Sequence, residues 1–163
     1  MLIDVFRRRV LEEIEAQGLT PKEFATRQLK LARPGPRFEA MLHKPSIRMR
    51  WIDPIAEYLG KIPSQLLVDG LAVGEGTFPP CRDTIKESVM KAFEDEGLTL
   101  RQVAKSMGIT AQYLSKDLCT GNPGLDRIEQ IANVVEIEPW KLILPVGTTV
   151  NIDKPSLEVV SNG

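Results

Sequence analysis

Apolar residues recur at helical intervals along most of the chain. Phe6, Val10 and Ile14 stand four apart, as do Ile85, Val89 and Phe93, so each set lines one face of a helix. These two stripes belong to a longer repeat. "AQGLTPKEFA" (16–25) aligns with "DEGLTLRQVA" (95–104) at an offset of 79, Gly18 falling on Gly97. "IDPIAEYLGKIPSQLL" (52–67) aligns with "IEQIANVVEIEPWKLI" (128–143) at an offset of 76, Ile55 falling on Ile131. The change from 79 to 76 puts three extra residues in the middle of the first copy. The shared Gly-Leu-Thr and the matched Pro63 and Pro139 favour duplication over chance convergence of two helical bundles.

About five helices are expected in each copy, near 83–96, 99–107, 110–118, 125–134 and 138–143 in the second. Thr99 and Thr110 suit the N-cap, where a hydroxyl accepts an otherwise unpaired backbone N–H. Asp126 would meet the helix dipole in a first turn, and Pro139 suits a first turn because its missing N–H has no partner there. The Gly- and Pro-rich "DGLAVGEGTFPP" (69–80) marks a boundary. The expected organisation is a domain over 1–70, a linker over 71–80, a domain over 81–144 and a C-terminal tail over 145–163. In that tail only "TTVNI" (148–152) and "LEVV" (157–160) could pair as strands.

"GLTLRQVAKSMGITAQYLS" (97–115) carries the chemistry. A continuous helix has no use for Gly108, which costs about 1 kcal/mol against Ala inside a helix. Two short helices meeting at a tight turn do need it, because Gly accepts the left-handed conformation that ends the first of them. Val103, Ile109 and Leu114 would fill the angle between the two, and the small Ala104 would let them approach.

This helix-turn-helix resembles the lambda-repressor-like (XRE-type) DNA-binding family over about residues 83–143. "LTLRQVAKSMGITAQYLS" carries the resemblance, supported by the downstream "LDRIEQIANVVEIEPWKLI". It implies an all-α fold of two tandem helix-turn-helix bundles, the first divergent, with a recognition helix lying in the major groove of double-stranded DNA. By position, Ala111, Gln112, Ser115 and Lys116 would face base edges: Gln112 suits adenine and Ala111 a thymine methyl. Thr110, Arg101 and the start of the Thr99 helix would sit at phosphates. "KDLCTG" (116–121) departs from the family by one extra residue before the closing Gly.

Composition narrows the reading. The 163 residues are 42% apolar and 26% charged, an ordinary globular balance, and the formal net charge of −1 gives no whole-molecule attraction to nucleic acid or membrane. Apolar runs are too short to span a bilayer, and "MLIDVFRRRVLEEIEAQG" is too charged for a signal peptide. Cys81, Cys119 and the single His43 are too scattered for a metal site, and two reduced thiols in a cytoplasmic protein are the expected state.

Local charge differs between the copies. From Arg82 to Lys141 eight Lys/Arg face ten Asp/Glu, so the second copy alone should bind DNA weakly. Between Lys22 and Arg50 eight Lys/Arg face two Glu, a net of +6. Here a Pro-Gly-Pro link replaces the Gly turn. Pro36 is expected to start the second helix, with Phe38, Met41 and Leu42 inward and Arg37, Ala40 and Lys44 outward. With Arg33, Arg48 and Arg50 these are the candidate duplex contacts of the first copy, while Trp51 reads as core.

The expected function is a sequence-specific regulator of bacterial or phage type, more often a repressor; a monomer would read an asymmetric site, and a homodimer would place four units on a longer, symmetric one. A protein-interaction or oligomerisation module is the competing expectation, supported by the acidic second copy. Paired carboxylates in an apolar setting, a phosphate-binding loop and a nucleophile–base set are all missing, so no enzyme, cofactor or small-molecule substrate is expected.

Overall fold

The stripe of Phe6, Val10 and Ile14 is fully buried in helix α1 (Leu2–Ala16). That helix opens a mostly helical fold, seen here in a computed structural model that describes residues 1–27 and 34–152. After it come α2 (Pro21–Arg27), α3 (Pro34–Leu42), α4 (Met49–Tyr58), a 3-10 turn (Pro63–Leu66) and strand β1 (Leu71–Val73). The second half repeats the series as α5 (Cys81–Asp95), α6 (Leu100–Ser106), α7 (Ala111–Cys119), α8 (Leu125–Val135), α9 (Pro139–Leu142) and strand β2 (Val150–Ile152). The buried side chains of both halves form one continuous core.

Local chemistry sets the boundaries. The Thr99 hydroxyl accepts from Gln102 N while the Gln102 side chain accepts from Thr99 N, a capping box at 3.2 and 2.8 Å. Thr20 and Glu23 make the same arrangement at the start of α2. Helix α6 ends at Gly108, whose φ of +72° allows Gly108 N and Ile109 N to reach Lys105 O and Ala104 O, a Schellman closure. At the C-terminus of α8 the same left-handed position is held by Glu136 (φ 57°), where the first half has Gly60 (φ +68°).

The halves join through reciprocal contacts. Met49 N donates to Pro123 O (3.1 Å) and Leu125 N donates to Ile47 O (3.0 Å); each residue of one bond is offset by 76 from its counterpart in the other, Met49 to Leu125 and Ile47 to Pro123. Arg48 and Gly124, themselves 76 apart, form the bridge between them. Capping is exchanged in the same sense. Arg50 N donates to Asn122 Oδ1 (3.0 Å), and Asp126 N donates to Ser46 Oγ (3.2 Å). Asp53 accepts from Cys81 N (2.7 Å) and Arg82 N (3.0 Å) at the start of α5, and Glu129 accepts from Leu2 N at the start of α1. Burial raises the Asp53 pKa above the usual carboxylate range, and the two N–H donors oppose that shift. In β1–β2, antiparallel, Ala72 faces Asn151 while Leu71 faces Ile152 and Val73 faces Val150. If residue i of one half meets j of the other, j of the first meets i of the second. That is the signature of a two-fold axis, here running through a single chain.

Some boundaries differ from the sequence expectation. Helix α3 begins at Pro34 rather than Pro36, because proline fits any of the first positions of a helix and the sequence offers two candidates. The strand expected in "TTVNI" forms, but its partner is Leu71–Val73, inside the stretch read as linker. "LEVV" and the rest of 153–163 lie outside the described residues, as does Arg33.

Candidate nucleic-acid interface

Helix α7 is set by its buried edge. Leu114 and Leu118 are buried, Val103 lies beneath, and Ala104 (1% exposed) lets α6 and α7 approach closely. Thr110 caps α7 by accepting Tyr113 N at 3.1 Å. The outer edge is held from α8, where Arg127 Nε donates to Asp117 Oδ2 (3.0 Å) and the Arg127 guanidinium lies over the Tyr113 ring, 5.3 Å from its centroid. What remains facing solvent is Thr110, Gln112, Tyr113 (53% exposed), Lys116 and Cys119, while Ala111 and Ser115 are half-buried. Arg101 is exposed on the preceding helix. Beyond α7, Gly121 takes φ +64°, and a Cβ there would lie 2.1 Å from Arg82 O. "KDLCTG" thus closes on a backbone-to-backbone contact that only glycine allows.

Helix α3 takes the place of α7 in the first half. Phe38 and Leu42 occupy the positions of Leu114 and Leu118 at the offset of 76, and Phe38 packs on Phe24 with ring centroids 5.8 Å apart. Arg7 from α1 donates to Leu42 O and, at 3.3 Å, to Lys44 O, placing a cation at the negative end of the α3 dipole. Lys86 of α5, the counterpart of Arg7, instead lies near Cys119, where the ammonium group, with the Ser115 hydroxyl, lowers the thiol pKa.

The candidate residues of the first half fall around the α3–α4 corner. Arg37, Ala40, Lys44, Arg48 and Arg50 are exposed. Arg37 and Arg50 flank the half-buried Trp51, at 5.5 and 5.8 Å from its ring centroid, so the indole is core on one edge and a seat for two guanidinium groups on the other. Arg48 Nη1 donates to Asn122 O (3.3 Å), which ties this corner to the segment just beyond α7. Among the described residues, Arg37, Lys44, Arg48 and Arg50 form no ion pair. The arginines of α1 differ: Arg8 and Arg9 engage Glu12, Glu13 and Asp69. The two groups of cations are thus unlike in what they offer a ligand.

Acidic side chains collect elsewhere. Asp95, Glu96, Glu136 and Glu138 line one cleft at the C-terminal end of α5. Helix α7 meets α5 at the opposite end, near Arg82 and Lys86. The two ends are roughly 20 Å apart by helical rise.

Sequence reasoning missed Tyr113 and its Arg127 partner, and the exchanged caps. The Asp53/Glu129 match was visible in the repeat alignment; what the two carboxylates bond to was not. Among the described residues no cluster of three potential metal ligands occurs, and no helix is long and apolar enough to cross a membrane. Cys81 is buried and Cys119 exposed, both as free thiols. No family model matches the chain, nor does any curated protein or solved structure.

Proposed function

We propose that the protein binds double-stranded DNA in a sequence-specific manner as a transcriptional regulator, a repressor of bacterial or phage type, built from two tandem helix-turn-helix bundles. One observation carries the reading. The left-handed turn at Gly108 and the cap at Thr110 set α7 apart from α6, and α7 turns Gln112 and Lys116 to solvent on a helix whose other face is locked into the core. Gln112 suits a bidentate contact to adenine, and the exposed cations at the α3–α4 corner suit phosphates. Four of the ten acids in the charge count, Asp95, Glu96, Glu136 and Glu138, sit at the far end of α5.

Selection from random oligonucleotides, followed by titration against salt, tests this. Enrichment of a defined motif, with affinity falling steeply as salt rises, is the expected result. The acidic cleft favours a second reading, a protein-interaction module. No enrichment and a flat salt response would select it.

A further inference from the structure

Resting on the DNA reading above, we propose that one chain by itself spans two half-sites in inverted orientation, so that its target is an interrupted quasi-palindrome with unlike halves. A tandem duplication does not require this. Two units strung head to tail would present their probes in the same sense and read a direct repeat. The contacts between the halves exclude that arrangement. The paired bonds Met49–Pro123 and Leu125–Ile47, the exchanged caps, and strands centred on Ala72 and Asn151 are all isologous, and an isologous contact fixes a two-fold relation.

The axis passes the Arg48–Gly124 bridge, six residues beyond Leu42 and six beyond Leu118. Helices α3 and α7 therefore end beside it in equivalent places. A duplex has local two-fold axes perpendicular to its length, and a molecule with such an axis meets two major-groove segments related by inversion. The surface that would join two separate copies of either half is already occupied by the other half of the same chain, so no second chain is needed to complete the pair.

The symmetry covers the backbone and stops short of the exposed side chains. Where α7 carries Tyr113, Ser115 and Lys116, α3 carries Arg37, Glu39 and Ala40 at the offset of 76. Beside the axis the first half has Arg50 where the second has Asp126. The two halves of the site must differ accordingly, with the first half supplying more of the phosphate contact.

The test uses the full chain and duplexes carrying the selected motif, with its half-sites either inverted or in direct repeat at the same spacing. Native mass spectrometry should show one 18.2 kDa chain per duplex and a monomeric free protein. Footprinting should show two protected segments on one face, about one helical turn apart. Turning one half-site around should weaken binding by about tenfold or more. Gln112→Ala should relax base preference in one half-site and leave it unchanged in the other. Two chains per duplex, one protected segment, or preference for the direct repeat overturns the inference and leaves the DNA reading standing. Absence of any bound duplex at low salt overturns both.

Discussion

The α3–α4 corner and the α7 surface are built on matching positions and carry different side chains. Both rest on the same buried positions, Phe38 and Leu42 in one half, Leu114 and Leu118 in the other. At the corner Arg37, Lys44, Arg48 and Arg50 are exposed and, among the described residues, form no ion pair, and two guanidinium groups are seated on Trp51. On α7 the charge is balanced internally by Arg127 with Asp117, and the exposed groups are mainly neutral hydrogen-bonding side chains. An unpaired cation holds a polyanion without reading it. A neutral amide on a fixed helix discriminates but attracts little. On the proposed reading, attraction would fall mainly to the first half and discrimination to the second.

Separating the halves should break the comparison most completely. A chain ending at residue 74 lacks Asn122 and Glu129, the groups that cap α4 and α1, and loses the shared core. It should show no cooperative unfolding transition by circular dichroism, and a sharp transition would show that each half stands alone. Gly121→Ala should cost roughly 3 kcal/mol in denaturant unfolding, because left-handed strain adds to a collision with Arg82 O. Gly108→Ala, with equal strain but open space around it, should cost only about 1–2 kcal/mol. Equal losses would show that the Arg82 contact relaxes.

Binding sharpens the contrast. Gln112→Ala should cost about 1–3 kcal/mol on the best site and relax preference at one base pair. A uniform loss over all sequences would move Gln112 to the backbone-contact class. Arg37→Ala with Lys44→Ala should weaken binding on every sequence and lower the salt slope by about two contacts. An unchanged slope would place the corner away from phosphate. The smallest effect is a gain. Glu136→Gly, which restores the residue type that Gly60 supplies in the other half, should stabilise by about 1 kcal/mol in the same unfolding measurement.

What could be read in advance was local. The Thr99 and Thr110 caps, the turn at Gly108 and the inward set of α3 each depend on a few neighbouring residues, and the sequence spells these out. The start of α3 was ambiguous because two prolines two residues apart can both open a helix. Orientation of the halves was not legible at all. Ser46, Asp53, Asn122 and Glu129 look like ordinary loop and surface residues until folding brings each to a helix start 28 to 127 positions away, at Asp126, Cys81, Arg50 and Leu2 respectively. The candidate site shows the same division. Exposure of Gln112 and Lys116 follows from helical period, whereas the guanidinium over Tyr113 comes from α8 and has no local sign.

Exchanged caps also govern how the chain comes into being. Leu2 N finds its acceptor on Glu129, 127 residues downstream, a wait on the order of ten seconds at ribosomal speed. Until then the leading segment carries raw helix ends and a half-covered apolar face. Its safe maturation depends on keeping that unfinished piece from sticking to its neighbours on the same messenger.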